Sequence, residues 1–180
     1  MEGSHDETPT ISSRTAQHVP ITQTGLEHAV RQEISGEPVT SNSNVPPSIL
    51  IVEDSPLHAR IMMTMLGDIG IPDYKVGSVP QLRDALILIE KWQPDCILLD
   101  LTLPDASGIE AVEAIVAVAP DVPVIVVSSH DDPQIALDAV RAGAQEFMLK
   151  WPADSVAFGS LVSLALARRT ASDSVATEAS

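Results

Sequence analysis

The chain has 180 residues, enough for one ordinary domain, and its formal net charge is −15 with a pI near 4.4. Because the chain is acidic and has no basic patch, we do not expect it to bind nucleic acid directly. An acidic surface is compatible with protein partners. The chain lacks a run of about 18 apolar residues and a signal-peptide pattern, so we expect a cytoplasmic protein without membrane insertion. Cys96 lies in an apolar run, which predicts a buried thiol in a reducing compartment.

Residues 1–47 form a predicted leader that is rich in Ser, Thr, Pro, Asn and Gln. Such a composition buries too little apolar surface to offset the entropy of ordering, so we predict disorder. One stretch, "TGLEHAVRQEISG", has capping-box spacing and an apolar face, and it predicts a short helix at 25–35. This helix is either a nascent helix in a tail or a docking element. A second disordered segment is predicted at 171–180.

Five rounds of an apolar run followed by a helical pattern fill residues 48–170. The predicted strands are 48–52, 74–79, 95–100, 122–129 and 145–150, and the predicted helices are 55–70, 79–93, 107–119, 132–143 and 153–169. Strands that are apolar almost throughout are covered on both faces. The pattern therefore predicts an α/β fold with a doubly wound, five-stranded parallel sheet.

Polar side chains stand at the carboxyl ends of four of the five predicted strands. Glu53 and Asp54 end the first strand, Asp100 the third, Ser128 the fourth and Lys150 the fifth. In a sheet of order 2-1-3-4-5 these strands are neighbours about 4.8 Å apart, and ligands bind outside such strand ends. Each residue alone has an ordinary structural interpretation, such as a helix cap, but their joint placement favours a site.

The residue types at these strand ends indicate phosphoryl chemistry. Three converging carboxylates repel one another unless a cation lies between them, and an all-oxygen ligand set suits Mg²⁺, with Mn²⁺ as a substitute. Lys150 supplies a positive charge and Ser128 a hydroxyl donor for a phosphoryl group. Because we find no candidate base beside a serine nucleophile, the plausible nucleophile is a carboxylate that forms an aspartyl phosphate.

The segments "ILIVEDS", "DCILLDLTLPDASGIE", "VPVIVVSS" and "EFMLK" resemble a response-regulator receiver domain, the CheY-like family of two-component signal transduction. The resemblance covers about residues 48–170 and implies a flavodoxin-like sheet of order 2-1-3-4-5. It also implies a phosphorelay in which a sensor histidine kinase or a histidine phosphotransfer protein phosphorylates an aspartate.

The resemblance assigns a role to each candidate site residue. The implied phosphoacceptor is Asp100; the implied Mg²⁺ ligands are Glu53, Asp54, Asp100 and the backbone carbonyl of Thr102; the implied phosphoryl contacts are Lys150 and Ser128; the implied switch is Ser128 with Phe147; and Pro104, Asp105 and Gly108 match the family's turn. Phosphorylation would then bias the face of helix 4, strand 5 and helix 5 for a downstream protein target or a phosphorylation-dependent homodimer.

A signalling protein rather than an enzyme is therefore expected. No output domain follows residue 170 in this sequence, so we expect a stand-alone receiver. The alternatives are a receiver module excised from a larger regulator, and an adaptor that does not need phosphate. An aspartyl-phosphate hydrolase of the haloacid-dehalogenase type has a second aspartate two residues after its nucleophile, where this chain has Thr102.

Three positions depart from the family pattern. Trp151 separates the lysine from a proline that usually follows it directly, so a cis bond, where present, would join Trp151 to Pro152. Ser129 replaces a common alanine, and His130 lies two residues after Ser128. We expect changes at Thr102 or His130 to alter phosphoryl lifetime more than Mg²⁺ affinity.

Overall fold

The computed structural model describes residues 45–150 and 154–178, without the side chains of residue 74 and residues 170–178. Residues 1–44 lie outside the described residues, and so does the helix predicted at 25–35. The predictions for Trp151 and Pro152 lie outside them as well.

The five predicted rounds of strand and helix are all present in the described chain. The strands are β1 (Ile49–Val52), β2 (Val76–Val79), β3 (Cys96–Leu99), β4 (Thr102–Leu103), β5 (Ala106–Ser107), β6 (Val124–Ser128) and β7 (Glu146–Leu149). The helices are α1 (Pro56–Asp68), α2 (Leu82–Lys91), α3 (Ile109–Val118), α4 (Pro133–Arg141) and α5 (Ser155–Glu178), and a 3-10 turn covers Asp73–Lys75.

The main sheet has five strands in the order β2-β1-β3-β6-β7, and every neighbouring pair is parallel. Since β6 and β7 are the fourth and fifth predicted strands, the doubly wound sheet of order 2-1-3-4-5 is confirmed. The strand without a reactive residue, β2, lies at one edge. The carboxyl ends of β1, β3, β6 and β7 therefore stand side by side.

Helices cover both faces of the sheet, which explains why β1 and β3 are apolar throughout and β6 is apolar up to its last residue, Ser128. Alternate residues of β1, β3 and β6 point to opposite sides. One face packs against residues of α1 and α5, including Phe158 and Val162, and the other packs against α2, α3 and α4. Cys96 belongs to the first layer; it is fully buried, and burial raises the pKa of its thiol to about 12.

Capping residues and glycines lie at the ends of α1 and α4. The Ser55 side chain accepts a hydrogen bond from the His58 amide, and Pro56 occupies the first turn of α1. Gly70 and Gly143 stand two residues after the last residues of α1 and α4, with φ of 87° and 107°. Glycine adopts this left-handed conformation at no steric cost, so both residues end their helices, close to the predicted ends at residues 70 and 143.

Two features differ from the prediction. A short antiparallel hairpin, β4 and β5, follows β3, because Leu103 pairs with Ala106 across a two-residue turn. The last helix, α5, continues to Glu178 rather than ending at residue 169, so the tail predicted as disordered from residue 171 is helical to Glu178. Residues 170–178 contain neither glycine nor proline, so no residue there interrupts the helix.

Candidate functional site

The Lys150 side chain joins the first and third strand ends at the carboxyl edge of the sheet. Its Nζ lies 2.7 Å from Glu53 Oε2 and 2.8 Å from Asp100 Oδ2. All three side chains are buried, with exposed fractions of 5%, 0% and 3%. Residues that are 97 and 50 positions apart from Lys150 in the chain thus meet in one ion cluster, as their strand ends predicted.

The acidic residues of the cluster have the composition of a site for a hard divalent cation. One oxygen each of Glu53, Asp54 and Asp100 can be chosen so that all three lie within 4.8 Å of one another. Asp54 is exposed, whereas Asp100 Oδ1 is buried and has no hydrogen-bond partner among the described residues. Three carboxylates share the single ammonium group of Lys150, so the formal charge of this set is −2. A cation such as Mg²⁺ would offset this charge and would give the unpartnered Asp100 oxygen a partner.

Glu53 is held in place by the start of α1. Its Oε1 accepts a hydrogen bond from the Ser55 amide at 3.2 Å and lies 3.2 Å from Nδ1 of His58. His58 was not among the predicted site residues, and it is about one-third exposed. The signal that could have found it is its position on the first turn of a helix that starts directly behind the acidic pair.

Ser128 ends β6 at the same edge, and its hydroxyl is directed towards the following loop. Its Oγ accepts a hydrogen bond from the His130 amide at 3.1 Å and lies 3.4 Å from the His130 ring nitrogen Nδ1. Its carbonyl accepts a hydrogen bond from the Lys150 amide at 2.8 Å, which ties the two strand ends together. Phe147, on β7, is half-buried and packs against the core layer beneath α2, α3 and α4.

The loop after β3 covers residues 100–108, and we name it the phosphorylation loop because Asp100, its first residue, is the predicted phosphoacceptor. Thr102 is exposed and opens the hairpin, where it pairs with Ser107. Asp105, at the turn of the hairpin, accepts hydrogen bonds from the backbone amides of Leu82 and Arg83 at 2.9 and 3.0 Å. These two amides, that of Arg83 foremost, hold the pKa of the Asp105 carboxyl below its ordinary value. This contact, which spans 22 to 23 residues of the chain, was not among the predictions from the sequence.

Comparison with known proteins places this arrangement in a family. The family model for the response regulator receiver domain matches residues 49–156. The chain belongs to this family. Receiver domains are signalling modules of two-component systems; they bind Mg²⁺ at an acidic pocket and interact with histidine kinases or phosphotransfer proteins and with downstream effectors.

Several curated proteins share this receiver domain. LuxO, a regulatory protein of Vibrio vulnificus, is 38% identical over 100 residues, which are 56% of this chain and 21% of LuxO. The chemotaxis protein CheY of Thermotoga maritima is 33% identical over 104 residues, which are 57% of this chain and 83% of CheY. The match thus covers about a fifth of the LuxO relatives and most of this CheY.

Solved structures agree with this receiver-domain assignment. The signal receiver domain of a LuxO repressor protein from Vibrio parahaemolyticus aligns with a TM-score of 0.65 and 30% identity, covering 73% of this chain and 98% of that one. A CheY-like receiver domain from Methanospirillum hungatei aligns with a TM-score of 0.64 at 22% identity, covering 71% of this chain and 99% of that one, which supports the fold alone. Within the described residues, no helix combines the length and the apolar character needed to cross a membrane.

Proposed function

We propose that this receiver accepts a phosphoryl group on Asp100 from a histidine kinase or a histidine phosphotransfer protein, with Mg²⁺. The observation that carries the proposal is the buried contact of Lys150 Nζ with both Glu53 Oε2 and Asp100 Oδ2, at 2.7 and 2.8 Å. In this cluster the Asp100 carboxylate would be the nucleophile, and the Lys150 ammonium would supply positive charge for a phosphoryl group.

Asp100 is the proposed nucleophile. An Oδ atom of Asp100 forms the new O–P bond while the P–N bond of the donor phosphohistidine breaks and its electron pair returns to the imidazole nitrogen. Glu53, Asp54 and Asp100, together with the Thr102 carbonyl, would hold Mg²⁺ at this point. When bound, Mg²⁺ neutralises charge on the phosphoryl oxygens and so lowers the barrier to transfer.

Lys150 and Ser128 are proposed to stabilise the phosphorylated state. The Lys150 ammonium already contacts Asp100 and can pair with a phosphoryl oxygen once the aspartate is phosphorylated. The Ser128 hydroxyl, now bonded to the His130 amide, would turn towards the phosphoryl group and leave space for Phe147. This switch biases the face formed by α4, β7 and α5, where we expect a downstream protein target or a second phosphorylated copy to bind.

On this proposal the protein is a phosphoacceptor and not a conventional enzyme. Its own side chains take part in one transfer onto Asp100 and in the later loss of that phosphate. An adaptor that is independent of phosphate would not need a buried lysine between two carboxylates, and an aspartyl-phosphate hydrolase would need an acid where Thr102 stands.

Intact-mass measurement after incubation with Mg²⁺ and acetyl phosphate tests the proposal. We expect the gain of one labile phosphoryl group per chain, lost in Asp100→Asn and without Mg²⁺. Asp68→Asn is the matched control, because Asp68 is an exposed aspartate at the far end of α1. Release of many phosphates per chain would indicate a hydrolase instead, and the absence of any modification would indicate an adaptor.

A further inference from the structure

The Asp105 carboxylate connects the tip of the phosphorylation loop to the start of α2. Its Oδ1 accepts from the Leu82 amide at 2.9 Å, and its Oδ2 accepts from the Arg83 amide at 3.0 Å. Each oxygen therefore serves one backbone donor, and both donors belong to the first two residues of α2. A carboxylate in this position acts as a helix cap that is supplied from another part of the chain.

Helix α2 has no side-chain cap of its own. Gln81, at the position before the helix, is extended and makes no side-chain capping bond. The first amides of any helix lack partners within it, and here the loop residue satisfies two of them. Helices α1 and α4 differ from α2, because the residue directly before each of them, Ser55 or Asp132, supplies a side-chain cap. Of these three helices, α2 alone receives its cap from the phosphorylation loop.

The phosphorylation loop is otherwise fixed at its base. The Gly108 amide donates to the Leu101 carbonyl at 2.9 Å, and the side chains of Leu101 and Leu103 are buried. Asp105 lies at the opposite end, in the turn of the hairpin. Thr102, whose carbonyl is a proposed Mg²⁺ ligand, lies between the buried base and this exposed tip. The backbone of Thr102 is thus held by the Gly108–Leu101 hydrogen bond at the base and by the Asp105 contacts at the tip.

We propose that Asp105 is a positioning residue: by capping α2 it holds the phosphorylation loop in the conformation that binds Mg²⁺ and presents Asp100. The inference rests on the proposed function, since it concerns the same site. Capping by Asp105 couples Mg²⁺ binding at the loop to the order of the first turn of α2. A ligand that favours the capped loop therefore also favours the capped helix, and the reverse holds as well. Asp105 itself touches no reacting atom.

The test compares the wild-type chain with four single-residue variants. Asp105→Ala removes both acceptors, and Asp105→Asn keeps one oxygen acceptor and should restore part of the loss. Asp132→Ala removes a cap of the same chemistry from α4, where Asp132 accepts from the Gln134 amide at 2.8 Å. Asp84→Asn removes one negative charge from the first turn of α2 and makes no change to the cap.

The first measurement is amide hydrogen exchange without metal. In Asp105→Ala we expect exchange at Leu82 and Arg83 to become roughly fivefold faster, with faster exchange also at Gly108. The second is Mg²⁺ titration followed by tryptophan fluorescence, where we expect about tenfold weaker binding in Asp105→Ala and less than twofold change in Asp132→Ala and Asp84→Asn. In the wild type, Mg²⁺ with beryllofluoride should slow exchange at Leu82 and Arg83.

Equal Mg²⁺ affinity in the wild type and Asp105→Ala overturns the inference, and so does an equal loss in Asp132→Ala. Intermediate affinity in Asp105→Asn supports it, because the partial cap is then what restores binding. If the wild type itself binds no Mg²⁺, the proposed function fails. The metal-free exchange rate of Gly108 then still decides whether Asp105 holds the loop: an unchanged rate in Asp105→Ala overturns the positioning role, and a faster rate supports it.

Discussion

Among the described residues, Lys150 is the ion-pair partner of both Glu53 Oε2 and Asp100 Oδ2. Replacing it with methionine removes this positive charge. The Lys150 side chain is 5% exposed, so water cannot easily take its place. Methionine keeps much of the apolar length of the lysine side chain, which limits the effect of a cavity. The variant therefore isolates the loss of the charge.

The size of the effect follows from the distances in the cluster. Two unit charges 4.8 Å apart repel by about 3.5 kcal/mol at an effective dielectric constant of about 20. Removing one partner of a buried ion pair costs about 3–5 kcal/mol in measured cases. We therefore expect the free energy of unfolding of Lys150→Met to fall by about 3–5 kcal/mol at pH 7 without Mg²⁺. Mg²⁺ should stabilise this variant more than the wild type, because more negative charge remains for it to balance.

Urea unfolding with and without Mg²⁺ measures both effects. Lys91→Met is the matched control, because Lys91 is exposed in the last turn of α2, and its change should stay within about 0.5 kcal/mol. A loss below about 1 kcal/mol in Lys150→Met, similar to that of a surface ion pair, would refute the buried-cluster reasoning. Equal stabilisation of wild type and variant by Mg²⁺ would show that the lysine and the cation do not balance the same charges.

Three further predictions concern residues outside this cluster. Because backbone amides lower the pKa of Asp105, its contribution to the free energy of unfolding is present above the ordinary pKa of 3.8 and is lost as pH falls through the lower folded value. The unfolding curves of wild type and Asp105→Ala should therefore converge in acid, and a constant difference would contradict the cap. His130→Ala should change the lifetime of the phosphorylated state, measured by intact mass over time, with less than twofold change in Mg²⁺ affinity, since, among the described residues, the hydrogen-bond partner of His130 is Ser128 and not a carboxylate of the cluster. Gly77→Ala should lower the free energy of unfolding by about 1–3 kcal/mol in urea, because its new Cβ would lie 2.6 Å from the ring of Trp92; an unchanged midpoint would mean that the ring moves aside.

The strand ends were predictable because the rules of parallel sheets are independent of side-chain detail. Apolar runs that are separated by helical patterns give a parallel sheet, and a parallel sheet brings its carboxyl ends to one edge. Given the strand order, residues as distant in sequence as Glu53 and Lys150 had to stand near each other. The 2.7 Å distance between Lys150 Nζ and Glu53 Oε2 agrees with this expectation. The roles of these residues in phosphoryl transfer stay predictions.

The contact of Asp105 with α2 follows from no comparable rule. A loop residue 22 to 23 positions after its partners obeys neither the helical nor the strand period, so nothing in the local sequence indicates what its carboxylate will meet. The missing information was present elsewhere, in the absence of a Ser, Thr, Asp or Asn before Leu82. A helix that lacks its own cap still has unpaired amides, and these must find an acceptor outside the helix or in water. In a receiver whose α2 begins at the same edge of the sheet as the phosphorylation loop, an uncapped α2 thus indicates that an acidic residue of the loop supplies the cap.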